Sequence, residues 1–78
     1  MSVRVKLVFP DSLVREPVLA RLSRNFPVEP NIRRASVEED SGWIVCELTG
    51  EAHAVASAID WLQRTGVRVE PLGDVVES

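Results

Sequence analysis

The sequence has 78 residues, of which 45% are hydrophobic and 27% are charged, and this composition is that of one ordinary soluble domain. Nine Lys and Arg residues against 12 Asp and Glu residues give a formal charge of -3, which offers no overall attractive field for nucleic acid. The single Cys46 excludes an internal disulfide, and because no secretory leader precedes Val3 and no apolar run reaches the length of a membrane helix, we expect a cytoplasmic location without membrane contact.

The first predicted element is a strand in which every second residue is apolar: Val3, Val5, Leu7 and Phe9. This period is that of a strand with one buried face, and Pro10 ends it. The residues of the other parity, Arg4, Lys6 and Val8, are expected to point to the opposite side of the sheet.

A helix is predicted next, and Asp11 or Ser12 can cap it. Because Pro17 is tolerated only in the first helical turn, regular helix is predicted to start near Arg15 or Glu16. Its apolar residues recur at helical spacing: Val14, Val18, Leu19, Leu22 and Phe26. Pro27 and Pro30 prevent its continuation.

Two strands joined as a hairpin follow this helix. Residues 31–39 form the first, and a bulge is predicted because the apolar positions change parity between Ile32 and Ala35. Residues 38–42 supply turn chemistry, and residues 43–49 form the next strand. Both parities of that strand are largely apolar, so either Trp43, Val45 and Glu47 or Ile44, Cys46 and Leu48 can face outward.

A second helix and a last strand complete one domain over residues 1–72. The helix has a buried stripe and ends at Gly66, where a left-handed residue is common; the stripe is Ala52, Val55, Ala56, Ile59 and Leu62. Val67, Val69 and Leu72 indicate the strand. Residues 73–78 are predicted to be a short flexible tail.

The order of elements predicts an α+β fold of the ferredoxin-like split βαβ type, βαββαβ. It has a four-stranded antiparallel sheet with both helices on one face. The other face is left uncovered by its own chain. Val8, Val45 and Trp43 are the apolar candidates for that surface, and we expect a second copy of the chain to bury them in a homodimer.

Short sequence motifs spread along the chain resemble the NIL domain family. The family is named for an Asn-Ile-Leu run at the start of its second strand, which stands here as Asn31-Ile32-Arg33. Further matches are the opening Val-x-Leu-x-Phe, Gly42, Glu47-Leu48-Thr49-Gly50, Ala58-Ile59-Asp60-Trp61-Leu62 and Gly66-Val67-x-Val69-Glu70. The resemblance implies the regulatory domain found in methionine importers and fused to some ferredoxins, here as a stand-alone protein.

The resemblance also implies where a ligand binds. In importer members methionine lies between two NIL domains and contacts the Asn of the motif, a role that falls here on Asn31. Ile32 and Val28 are apolar candidates for its surroundings, and Arg33 replaces an apolar family residue with a cation that pairs with anions. The ligand-binding candidates are therefore Asn31, Ile32, Arg33 and Val28.

The same residues also have plain structural explanations. Asn31 suits a turn after Pro30, Arg33 and Arg34 suit a solvated strand edge, and Trp43 suits the end of its own core. Cys46 suits a core position, since no base lies near it in sequence. His53 suits the surface. Glu38, Glu39 and Asp40 suit a solvated turn, so no metal site is predicted.

We therefore expect a regulatory module that binds methionine or a related small amino acid at a homodimer interface. The alternative is a protein-protein interaction module that has lost small-molecule binding. We expect no enzymatic activity, because the chain lacks a nucleophile with its base, and no cofactor, because one Cys cannot hold an iron-sulfur cluster. A transporter or a ferredoxin-linked protein is the expected partner, and nucleic acid is not.

Overall fold

The computed structural model describes residues 1–10, 13, 16–39 and 41–74, and these form a four-stranded sheet with two helices. In chain order the elements are β1 (Ser2–Phe9), α1 (Val18–Asn25), β2 (Glu29–Val37), β3 (Gly42–Thr49), α2 (Ala52–Thr65) and β4 (Arg68–Asp74). The strands lie in the order β2-β3-β1-β4, and all neighbours are antiparallel. The predicted α+β, ferredoxin-like arrangement is confirmed.

The register between β1 and β3 decides which side chains face the helices. It runs from Ser2 opposite Thr49 to Phe9 opposite Gly42. Cross-strand partners share a face, so Val5, Leu7 and Phe9 point the same way as Gly42, Ile44, Cys46 and Leu48. We call the other side the open face; β1 and β3 place on it Arg4, Lys6, Val8, Trp43, Val45 and Glu47. The structure thus selects one of the two parities that the sequence left open for β3.

The core lies between the sheet and the two helices. Leu7, Cys46 and Leu48 of the central strands are fully buried, as are Leu22 of α1 and Leu62 of α2. Phe26 and Trp61 pack at its margin with ring centroids 5.9 Å apart. No helix in the described ranges is long and apolar enough to cross a membrane.

Helix α1 begins later than predicted. Pro17 occupies the N-cap position with φ -78°, and the helix begins at Val18 rather than at Glu16. Arg15, the other predicted start, lies outside the described residues. The residue before a proline is disfavoured in the helical region because of the proline ring, so Glu16 cannot continue a helix into Pro17. The predicted caps Asp11 and Ser12, and Val14 of the predicted stripe, lie outside the described residues.

The edge strands β2 and β4 each contain an irregularity. In β2 the register against β3 shifts between Ile32 and Arg34, which confirms the predicted bulge. In β4 the register shifts opposite Arg4 and Val5, and the strand continues through Gly73, whose φ is 109°. The last strand therefore reaches Asp74, two residues into the predicted tail, while residues 75–78 lie outside the described part of the chain.

Gly50, directly after β3, lies very close to the backbone segment that leads into β2. A Cβ atom built on it would lie 2.9 Å from the carbonyl oxygen of Pro27 and 3.5 Å from a methyl group of Val28. The Gly50 N–H also donates to the carbonyl oxygen of Met1 at 3.0 Å. The glycine of the Glu-Leu-Thr-Gly motif is therefore required because two backbone segments meet there.

Gly50→Ala is expected to lower the free energy of unfolding by about 1–3 kcal/mol, because the added methyl group meets a backbone oxygen that has to shift. Urea denaturation followed by circular dichroism measures the change. Glu51→Ala, at the exposed neighbouring residue, is the control and should stay within about 0.5 kcal/mol of the parent chain. Equal stability of Gly50→Ala and the parent would contradict the close approach.

The buried thiol of Cys46 predicts a loss of stability at alkaline pH. Burial, with a smaller contribution from the negative charge of Glu47, raises the pKa of this thiol from 9.0 to about 11. Because the folded pKa is above the unfolded one, this contribution to stability is complete below pH 9.0 and is lost as the pH rises to about 11. The free energy of unfolding should fall more steeply across this window in the parent than in Cys46→Ala. Identical pH slopes would contradict the assignment.

Candidate functional site

Three of the four predicted ligand-binding residues lie together on the edge strand β2. Asn31 pairs with Glu47 of β3, so its side chain belongs to the open face. Ile32 pairs with Cys46 and points toward the helix side, but at the sheet edge it remains 52% exposed. Arg33 is the extra residue of the bulge and is exposed. The run Asn31-Ile32-Arg33 is thus accessible from solvent along its whole length.

Val28, the fourth predicted ligand-binding residue, is part of the core. Its side chain is 5% exposed, and it contacts the position where Gly50 would carry a side chain. Val28 therefore lies beneath the start of β2 and supports it, while the accessible surface is formed by the three residues that follow Pro30. The spacing of apolar residues could not distinguish these two places, because Val28 stands between two prolines and outside any periodic pattern.

Asn31 lies at the end of a polar row that crosses three strands of the open face. The row contains Arg4 of β1, Glu47 of β3 and Asn31 of β2, which are successive cross-strand partners. Arg4 donates from Nη2 to Oε2 of Glu47 at 2.7 Å. The Arg4 side chain is 46% exposed, so this pair has water access and only modest energetic value. A guanidinium, a carboxylate and an amide are thereby placed side by side.

The predicted interface residues Val8, Trp43 and Val45 are neighbours on the same open face. Val8 lies directly opposite Trp43, and Val45 follows two residues later on β3. Lys6 Nζ lies 5.1 Å from the centroid of the Trp43 ring, within the range of a cation-π contact. All three side chains are half-buried by their own chain, and together they form the apolar centre of the open face.

Basic side chains flank this apolar centre. Val45 has Lys6 on one side and Arg34 on the other as cross-strand partners. Ion pairs among the described residues involve Arg4, Arg21, Arg64 and Arg68, and neither Arg33 nor Arg34 takes part in them. The open face thus combines an apolar centre, a polar row and two further cations, Lys6 and Arg34.

Other residues with reactive side chains have structural roles. Cys46 is fully buried, which confirms its prediction as a core residue, and burial raises the pKa of its thiol further above neutral pH, which makes it less reactive than an exposed thiol. His53 is exposed in the first turn of α2, as predicted. Within residues 1–10, 13, 16–39 and 41–74 no three His, Cys, Asp or Glu side chains converge as metal ligands do.

The sequence did not predict a half-open cavity of about 190 Å³ on the helix side of the sheet. It lies between the first half of α1 and the end of the β2-β3 hairpin, and most of its wall is apolar: Phe9, Leu13, Val18, Leu19, Val37 and Ile44. Gly42 lies between Phe9 and Val37 across the three strands and has no side chain to fill this space. The cavity depends on contacts between segments that are distant in the chain, so no local pattern in the sequence indicates it.

Comparison with known proteins agrees with this architecture. The NIL domain family model matches residues 3–71. The chain is 30% identical over 76 residues to a "Methionine import ATP-binding protein MetN" of Aliivibrio fischeri, covering 92% of this chain and 22% of that protein. It is 29% identical over 73 residues to the protein of the same name from Helicobacter pylori, covering 88% of this chain and 22% of that protein.

A solved structure supports the fold. The C-terminal domain of an ABC transporter ATP-binding protein from Enterococcus faecalis superposes with a TM-score of 0.79 at 22% identity, over 94% of this chain and 86% of that domain. The chain spans only about a fifth of the length of the curated relatives, so what those names describe is the activity of a larger protein. Because the family model matches nearly the whole sequence, the chain belongs to the NIL domain family.

Proposed function

We propose that this chain is a regulatory module, without catalytic activity of its own, that binds methionine or a related small amino acid at an interface between two copies of the chain. The observation that carries this proposal is the exposed Asn31, placed in one row with Glu47 and Arg4 on the open face of a NIL domain. Relatives of this domain are named as methionine import proteins, which supports methionine as the first ligand to test.

The polar row has the groups needed to bind the charged end of an amino acid. An Asn amide offers two N–H donors and one oxygen acceptor, so Asn31 can contact a carboxylate or an ammonium group. Glu47 supplies a negative charge for the ammonium group, and Arg4 or Arg33 supplies a guanidinium for the carboxylate. Arg4 and Glu47 already bond to each other at 2.7 Å, so a ligand would insert its charges into an existing pair.

A second copy of the chain would cover the open face. Val8, Trp43 and Val45 lie next to the polar row on the open face. Packing two open faces about a twofold axis would remove this apolar surface from water and would enclose ligands beside Asn31. A domain of 78 residues has a small core, so it gains more from such packing than a larger one would.

The regulatory role is supported by where the domain occurs. In the curated relatives the matched region is 22% of a longer ATP-binding protein. We propose that a transporter or a ferredoxin-linked protein is the partner that responds to the occupied module. Ligand binding would then shift the equilibrium between two arrangements of that partner. The size of the shift is set by how much more tightly the ligand binds in one arrangement than in the other.

Asn31→Ala is expected to weaken methionine binding at least about tenfold, because a hydrogen bond to a charged group is worth about 1.5–3 kcal/mol and every 1.4 kcal/mol is a factor of ten. Isothermal titration calorimetry measures the affinity. Methionine should also raise the midpoint of thermal unfolding of the parent chain, because binding to the folded state alone stabilises it. Asn25→Ala, at an exposed Asn at the end of α1, is the matched control and should bind as the parent does.

If the parent chain shows neither heat nor a thermal shift with millimolar methionine, norleucine or cysteine, the amino-acid proposal is rejected. If Asn31→Ala binds methionine as tightly as the parent, the amino acid is bound elsewhere in the chain. These two results are distinct, since the first concerns whether a ligand binds and the second concerns where.

Val45→Lys is expected to dissociate the dimer, because it places a third positive charge between Lys6 and Arg34 at the centre of the open face, which the proposed dimer buries. Sedimentation equilibrium should show that the dissociation constant of the dimer rises at least about tenfold, which is a change of about 1.4 kcal/mol. Ala56→Lys, on an exposed position of α2, carries the same charge change and should leave the dimer intact. A monomeric parent chain at high concentration would reject the homodimer.

A second function is favoured by Arg33. An arginine in the bulge, where the family motif has an apolar residue, adds a cation beside the proposed site and suits an acidic protein surface. In that case the chain is a protein-protein interaction module that has kept the fold and lost small-molecule binding. It would form a stable dimer whose thermal unfolding does not respond to any amino acid.

A further inference from the structure

The carboxylates nearest to the apolar centre of the open face each have an arginine partner. Glu47 of β3 accepts a hydrogen bond from Nη2 of Arg4 at 2.7 Å. Glu70 of β4 lies opposite Lys6 of β1, but its Oε2 accepts hydrogen bonds from Nε and Nη2 of Arg68 at 3.2 and 2.8 Å. Both negative charges beside the apolar centre are therefore already compensated.

Lys6 and Arg34 are the cations that remain at this centre. They lie on either side of Val45, as its cross-strand partners on β1 and β2. Neither takes part in an ion pair with another residue in the ranges 1–10, 13, 16–39 and 41–74. The centre of the open face thus carries two positive charges without a carboxylate partner in these ranges, although the whole chain has a formal charge of -3.

The side chains of these two cations can meet above Val45. Neighbouring strands are about 4.8 Å apart, so the Cα atoms of Lys6 and Arg34 are separated by about 10 Å across β3. Lys6 Nζ lies toward the centre, 5.1 Å from the centroid of the Trp43 ring. Ser36, the cross-strand partner of Trp43, adds a hydroxyl group to the same face. An ammonium, a guanidinium and a hydroxyl group therefore border one region of the open face.

This set of donors suits a phosphate group. A guanidinium donates two parallel hydrogen bonds to phosphate oxygens, an ammonium group attracts them as a point charge, and a hydroxyl group donates one more hydrogen bond. A polyvalent anion compensates both cations at once, whereas a chloride ion or a single carboxylate compensates one of them. Charge complementarity therefore favours an anion with two or more negative charges.

We propose that the centre of the open face binds a phosphate-type polyvalent anion between Lys6 and Arg34, and that this anion regulates formation of the homodimer. The second part rests on the proposed function, in which two open faces pack together. Without the anion, that packing would bring four uncompensated cations into one interface, and burial of a charge without a partner is strongly unfavourable. With the anion bound, the same packing encloses charges that are compensated.

Amide NMR of the isotopically labelled chain, titrated with inorganic pyrophosphate, tests the site itself. Millimolar pyrophosphate should shift the amide signals of Arg34 and Val45 and the indole N–H signal of Trp43. Sodium chloride at the same ionic strength screens charges equally and should not produce these shifts. Adenosine triphosphate is the second probe: equal affinity means that phosphate alone is recognised, and tighter binding means that the ligand is a nucleotide.

Sedimentation equilibrium tests the regulation of the dimer. Pyrophosphate should lower the dissociation constant of the parent dimer at least about tenfold relative to sodium chloride of equal ionic strength, or about 1.4 kcal/mol. Arg34→Gln should abolish this effect, and in sodium chloride it should form a tighter dimer than the parent, because each copy has lost one repelling charge. Arg24→Gln, at an exposed residue near the end of α1, removes the same charge and should behave as the parent does.

The outcomes separate this proposal from the one above. A parent chain that stays monomeric with and without pyrophosphate would reject the regulation of a dimer, while shifts at Arg34, Val45 and Trp43 would still support the anion site. If neither pyrophosphate nor adenosine triphosphate shifts these signals, the anion site is rejected, and methionine binding at Asn31 can still stand. If Arg34→Gln weakens the dimer in sodium chloride, carboxylates of the second copy compensate Arg34, and the proposal is rejected as well.

Discussion

The register between β1 and β3 is the constraint on which the rest of the molecule depends. Successive residues of a strand point to opposite faces, so a slip of one residue would turn Leu7, Cys46 and Leu48 from the core to water. The same register aligns Arg4 with Glu47 and Val8 with Trp43 on the open face. The core and the open face are therefore fixed by the register between the two central strands, and the pairing of β2 with β3 adds Asn31 to the polar row.

Prolines and glycines then set the places where the chain departs from this regular sheet. Pro17 precedes the first residue of α1, Val18, and both Pro17 and Gly42 line the cavity between helix and hairpin. On the other side of the chain, Gly50 allows the start of β2 to approach, and the bulge at Arg33 exposes the residues around it.

The sequence predicted the parts of this molecule that depend on periodicity. Alternation in β1, helical spacing in α2 and the parity change in β2 each have a local pattern, and the structure confirms the strand, the helix and the bulge. The predicted buried stripe of α2 is wrong at Ala52 and Ala56, which are exposed, because the helix turns Ala54 and Ala58 toward the sheet instead. The facing of β3 was left open because both of its parities are apolar, and only the covering helices distinguish Cys46 from Val45. Burial of Val28 and the cavity beside Ile44 depend on contacts between distant segments, so no local pattern indicates them.

The most direct test of the central claim is a crystal structure of the chain grown with free selenomethionine. The chain contains one methionine, Met1, and it carries sulfur rather than selenium when the protein is made without the label. The anomalous signal of selenium therefore marks bound ligand alone. We predict a selenium peak beside Asn31, enclosed between the open faces of two copies related by a twofold axis. A saturated crystal with no selenium at Asn31 would contradict the account.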